Sequence, residues 1–153
     1  MQVTFIDGAG DLSLPLKIRL AVFCQEQGFS EEIERDDKDD ISTHVLLCED
    51  DNTPIATSRF YSEQHGVWHI GRVATLKTHR GRGIGDALMW VSLTKMLEMG
   101  AQSVVLTAQL YVVPFYERFG FVSEGGHIFE EGVAHQPMRA SAQTILKAKA
   151  ART

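Results

Sequence analysis

Polar turns cut the apolar positions of this chain into short runs, and the spacing inside each run predicts an element. Residues 3–6 read as a short strand. Residues 14–27 carry Leu16, Leu20 and Phe23 at helical spacing, which predicts an amphipathic helix with those three side chains on one side. Strand-like runs follow at 44–49, 55–61 and 68–75, divided by turn sequences at Asp50-Asp51-Asn52 and at 63–66. Residues 85–99 hold the main helical pattern, and Gly100 ends it. Beyond it come a strand at 103–108, a short helix at 113–119 stopped by Gly120, and runs at 121–124 and 133–140 that predict a closing hairpin. This order fits a three-layer α/β arrangement. Residues 141–153, rich in Ala and Lys, predict a surface helix or a partly disordered tail, which leaves residues 1–140 as the expected domain.

The junction between the apolar run 70–76 and the main helix reads Arg80-Gly81-Arg82-Gly83-Ile84-Gly85. A helix N-terminus leaves its first N–H groups unpaired and carries the positive end of the helix dipole, so it holds anions. Glycines at 81, 83 and 85 let phosphate oxygens approach the main chain, and Arg80 and Arg82 add cationic donors. Two familiar phosphate loops fail on spacing. The dinucleotide fingerprint needs G-x-G-x-x-G, and the Walker loop needs Lys and a hydroxyl residue where Asp86-Ala87 stand. The remaining pattern, R-x-x-G-x-G, resembles the acyl-CoA signature of the GNAT N-acetyltransferase superfamily.

A second segment supports that resemblance. Gln109-Leu110-Tyr111-Val112-Val113-Pro114-Phe115-Tyr116-Glu117-Arg118-Phe119-Gly120-Phe121 is similar to the second half of the same family's site, a strand exit and a short helix that carries a tyrosine. The two signatures stand in the family's order, and the likeness runs from about residue 14 to residue 138. It implies a single-domain GNAT-like three-layer fold: a mixed central sheet, helices on both faces, and a splay between the two central strands. In that arrangement acetyl-CoA is the cosubstrate. By resemblance its pantetheine arm would pair with the backbone at Val73, Ala74 and Thr75. Its diphosphate would meet Arg80, Gly81, Arg82, Gly83, Ile84, Gly85 and Asp86, the last through its backbone. Gln109 stands where the family often carries a cofactor-binding amide.

Acetyl transfer to an amine makes its own demands. A primary amine with a pKa near 10.4 is protonated at pH 7, and freeing its lone pair costs about 4 to 5 kcal/mol. A base must take that proton, donors must hold the developing oxyanion, and an acid must reprotonate the departing thiolate. Tyr116 resembles the family's tyrosine for the last role. For the base, Glu26, His44 and His135 are the candidates, since the strand at 103–105 is Ser-Val-Val where some relatives carry a glutamate. The segment around Glu26, the acidic stretch after it, His44 and the segment around His135 resemble the ElaA-like subgroup of GNAT proteins and would frame the amine pocket. The acceptor is a small-molecule amine or a peptide or protein amine. The alternative is a noncatalytic acyl-CoA-binding or sensor module that keeps the cradle and lacks an effective base.

Charge narrows the partners further. Of a formal net charge of −5, all is accounted for by Glu31 to Asp40, which holds seven acids and two bases. Such acidity argues against nucleic acid and offers two roles, a solvated loop or a lure for a cationic amine. At 153 residues the chain suits one domain. It has no apolar run long enough to span a membrane, and the first residues lack a signal-peptide pattern, so a cytoplasmic enzyme is expected. Cys24 and Cys48 read as buried free thiols, with no activating context for an acyl carrier at Cys24. His65 and His69 lie about 13 Å apart if extended, too far to share an ion, and no metal site is expected. An apolar closing hairpin would support a homodimer.

Overall fold

The computed structural model describes residues 1–29 and 35–152. The first acidic positions of the loop, Glu31, Glu32 and Glu34, therefore lie outside the described residues. The elements are β1 (Gln2–Asp7), α1 (Ser13–Arg19), β2 (Thr43–Cys48), β3 (Pro54–Gln64), β4 (Val67–Thr75), α2 (Ile84–Glu98), β5 (Ser103–Gln109), α3 (Val113–Glu117), β6 (Val122–Ser123), β7 (Ile128–Glu130), β8 (Val133–Ser141) and α4 (Ala142–Ala151). The strand order is β1-β2-β3-β4-β5-β8-β6, with β7 also paired to β8. No helix among the described residues is long and apolar enough to cross a membrane.

The chain divides into two compact units. The first comprises Met1–Tyr61 and Gly71–Ser92. Here β1 and β2 pair antiparallel from Gln2↔Cys48 to Asp7↔Thr43, and β2 pairs antiparallel with β3 with a bulge at Leu47/Cys48. Ile18 and Val22 pack on Leu46, Cys48 and Ala74, with Ile6, Phe23 and Leu76 at the margin. Burial of Ile18, Val22 and Leu46 contributes roughly 1.5 to 3 kcal/mol each, which seats the first helix on the sheet.

That helix differs from the sequence expectation in two ways. It is α-helical only to Arg19 and continues as a π-helix over Leu20–Glu26. Its buried positions are Pro15, Ile18, Arg19 and Val22 rather than Leu16, Leu20 and Phe23, which are half-buried. The reason is a charged residue on the core side. Arg19 is 1% exposed, tied to Asp39, and the wider π turn shifts every side chain after it relative to the 3.6-residue period.

The second unit comprises Ser62–Ile70 and Leu93–Thr153. Parallel pairing of β4 with β5 runs over three residues, Val67↔Ser103, Trp68↔Val104 and His69↔Val105. Antiparallel pairing of β5 with β8 is longer, from Ser103↔Ser141 to Gln109↔His135. Along β5, Val104, Leu106 and Ala108 are buried and alternate with half-buried positions, the period-2 pattern of a strand. The closing hairpin differs from expectation: β6 is only two residues long, and β7 pairs with β8 across Glu131 and Gly132, both at positive φ. A turn with two left-handed residues matches the twist of its strands, and Glu131 at the first position hid that signal. The tail forms α4, capped by Ser141, whose hydroxyl accepts from the Thr144 amide at 3.1 Å, and anchored by buried Ile145.

Candidate active site

In the first unit the loop before α2 has the backbone an anion site needs. Gly81 and Gly83 adopt φ of +81° and +74°, and no heavy atom lies within 4 Å of where a Cβ would project from either. The Ala87 amide donates to the Gly83 carbonyl at 3.0 Å, the opening bond of the α2 ladder. Ile84 and Gly85 are therefore first-turn residues, whose amides have no acceptor within the helix. Arg82 is 62% exposed and 3.9 Å from Glu49, which also receives His79 Nε2 at 2.8 Å. A cleft of about 420 Å³ beside Ile84 is lined by Glu49, Asp50 and Asp51, carboxylates that repel phosphate. The glycine loop fits a diphosphate and that cleft does not.

Arg80 is placed differently from expectation. Its Nε donates to the Thr75 carbonyl at 3.1 Å, and its Nη groups donate to both carboxylate oxygens of Glu26, at 2.7 Å to Oε1. Two residues expected in separate roles are thus brought together. The Arg80 hydrogen bond holds the Glu26 carboxyl below its usual range, so Glu26 is an ionised partner rather than a base. Just upstream, Val73, Ala74 and Thr75 follow Arg72, a non-glycine residue at φ +49° inside β4. Such a conformation is strained and persists only where neighbours impose it.

The Arg72 side chain meets the acidic loop. Arg72 Nη2 reaches Asp36 at 3.3 Å, and Arg59 donates to Asp36 and, at 2.8 Å, to Asp39. Asp39 is fully buried and also accepts from Arg19 at 2.8 Å and from the Asp36 amide at 2.9 Å. Burial acts against the charge of Asp39, but its arginine and amide donors prevail and bring its pKa down to about 2. Asp39 is thus closed off from solvent, and the half-buried Asp36 is engaged by Arg59 and Arg72, so neither is a free lure for an amine. Sequence reasoning missed Arg19, Asp36, Asp39, Arg59 and Arg72 as a group. The available signal was an arginine inside an apolar helix face and another within a strand, since a buried cation requires an anion.

His44 is corrected by the same network. It is fully buried, its Nε2 lies 3.0 Å from the Asp39 carbonyl, and its Nδ1 has no hydrogen-bond partner among the described residues. Burial pushes its pKa down, so it is a neutral structural imidazole closed off from any acceptor.

In the second unit, β5 and β8 set Gln109 directly opposite His135. His135 is buried, with Nδ1 2.8 Å from the Val133 carbonyl and Nε2 3.6 Å from Glu130. If Nδ1 carries the proton toward that carbonyl, Nε2 is the basic nitrogen. Tyr116 on α3 is also buried, in edge contact with Phe115 and Phe121. Burial, reinforced by Tyr111, raises its pKa, which keeps the phenol protonated. Cys48 is buried and its thiol pushed up by burial, while Cys24 is half-buried. Among the described residues no cluster of three or more metal-ligating side chains occurs.

The sequence model of the acetyltransferase (GNAT) domain matches residues 17–142. The chain belongs to the GNAT acetyltransferase family. Its GNAT relatives include YjcF of Bacillus subtilis, named as an uncharacterized N-acetyltransferase, 30% identical over 122 residues that cover 79% of this chain and 86% of that protein. An acyl-CoA N-acyltransferase from Pseudomonas aeruginosa superimposes with a TM-score of 0.82 at 27% identity, covering 92% of this chain and 99% of the other. Escherichia coli ElaA superimposes with a TM-score of 0.80 at 26% identity, with the same coverage. The GNAT architecture is the expected one: a single-domain α/β fold with a mixed central sheet, helices on both faces and a splay between the central strands. With it comes the general chemistry of the superfamily, CoA-dependent acyl transfer.

Proposed function

We propose that this GNAT protein transfers the acetyl group of acetyl-CoA directly to an amine, and that it groups with the ElaA-like proteins. The observation that carries the reading is the open, positive-φ glycine loop at the N-terminus of α2, a backbone surface suited to a diphosphate. The amides of residues 81–86 and Arg82 would hold that group. The backbone at Val73, Ala74 and Thr75 would hold the amide-rich arm, and Gln109 would add a side-chain hydrogen bond. When bound, acetyl-CoA supplies the activated thioester carbonyl.

The remaining steps fall to side chains of this chain. His135 Nε2 takes the proton that an alkylammonium must lose, directly or through water. Main-chain N–H groups near Val73 to Thr75 stabilise negative charge on the carbonyl oxygen. Tyr116, kept protonated by burial, returns a proton to the thiolate. The acceptor is a small-molecule amine or a peptide or protein amine, and the reaction is placed in the cytoplasm.

One observation favours a second reading. Glu26 is held by Arg80 and His44 is enclosed, which leaves His135 alone among the three base candidates. A noncatalytic acyl-CoA sensor would follow if His135 is idle. Thiol release from acetyl-CoA across a panel of small amines, peptides and polyamines separates the two. The enzyme releases thiol with at least one acceptor; the sensor binds coenzyme A and turns over none.

A further inference from the structure

We propose that Arg80 exchanges partners: it holds Glu26 in the free protein, turns to the diphosphate of the acyl carrier when that group enters the glycine loop, and so releases the Glu26 carboxylate to bind the acceptor's ammonium group. This rests on the acetyl-transfer reading and assigns Glu26 a role in choosing cationic acceptors.

Arg80 opens the R-x-x-G-x-G loop, yet in the free chain its guanidinium is committed to another anion. The pair spans 54 residues of sequence, so it is a tertiary contact and not a by-product of local helix geometry. Arg80 and Glu26 side chains are 40% and 28% exposed, within reach of an incoming ligand. A carboxylate and a diphosphate are alternative partners for one guanidinium fork. The diphosphate carries more charge and also meets the α2 amides, so it wins the arginine. An ionised Glu26 left beside it would be repelled.

The element that carries Glu26 can follow. Glu26 is the last residue of the π-helix, where the Gln27 amide reaches back five residues to the Val22 carbonyl at 3.1 Å and the Phe29 amide reaches six to Phe23 at 2.8 Å. The first of these wide turns holds one residue more than an α-turn and the second holds two. Retightening rotates the side chain by about 100° per residue of shift. Swung away from Arg80, the carboxylate keeps its charge, and a protonated amine is the ligand class that neutralises it.

Calorimetric titration of coenzyme A into wild type and Glu26→Gln tests the exchange. Gln keeps the size of the side chain and removes the competing charge, so the variant should bind coenzyme A roughly three- to tenfold more tightly, while the KM for a cationic amine rises roughly tenfold. In the wild type, the Arg80 Nε–H resonance should move on saturation with coenzyme A, a readout that does not depend on how the variant folds. If wild type binds coenzyme A but the variant binds no more tightly, or the Arg80 resonance stays fixed, the exchange is wrong and the acyltransferase reading stands. If wild type does not bind coenzyme A, both fall.

Discussion

Asp39→Asn should be the most damaging single substitution in the acidic loop. The carboxylate is fully buried and receives Arg19 at 2.8 and 3.2 Å, Arg59 at 2.8 Å and the Asp36 amide at 2.9 Å. An amide of the same shape leaves Arg19 and Arg59, 1% and 5% exposed, without that counter-charge. Removing one member of a buried ion pair costs roughly 3 to 5 kcal/mol, a large part of a total near 5 to 15. For a chain of this size that lowers Tm by on the order of 10 °C. Part of the effect is proton-linked. The folded pKa of about 2 lies below the unfolded 3.8, so the charged form contributes roughly 2 kcal/mol, present above pH 3.8 and lost as pH falls toward 2. Urea unfolding followed by circular dichroism at pH 7, and an acid titration from pH 5 to 2, measure the two parts. A loss below about 1 kcal/mol at pH 7, or an unchanged acid limb in the variant, would refute the reasoning.

Three further outcomes follow from the site. Gly83→Ala places a Cβ where no heavy atom lies within 4 Å, so its stability cost is chiefly the left-handed backbone, about 1 to 2 kcal/mol, while the methyl enters the phosphate space and raises the coenzyme A Kd roughly tenfold or more by calorimetry. Tyr116→Phe keeps the buried ring and removes only the hydroxyl, so Tm should change little while kcat drops on the order of tenfold to a hundredfold with coenzyme A affinity unchanged; full turnover would make Tyr116 a packing residue. His135→Gln should lower kcat without weakening coenzyme A binding, and added imidazole should restore part of the rate if the ring is the base.

Most elements were legible because hydrophobic period and glycine punctuation act locally. Gly100, at φ +103°, ends α2 as read, and the glycine loop stands where spacing put it, whereas α3 stops at Glu117, short of Gly120 at φ +100°. The first helix shows where such reading stops. Its buried face depends on Arg19 meeting Asp39 twenty residues on, a contact that no window of helical length contains. The same holds for the site. Roles suggested by motif are local, but Glu26 with Arg80, Asp36 with Arg72, and Gln109 opposite His135 are created by the fold. Charge read along the chain made the acidic loop a surface feature, whereas two of its carboxylates are counter-ions for buried arginines.

The central claim is that main-chain amides of residues 81–86 grip an acyl-carrier diphosphate. Amide-resolved NMR during a coenzyme A titration, run beside calorimetry on the same sample, tests it most directly. The account predicts saturable heat and large shifts at Gly81, Gly83, Ile84, Gly85 and Asp86. Absence of heat, or binding that leaves those amides where they were, would contradict it.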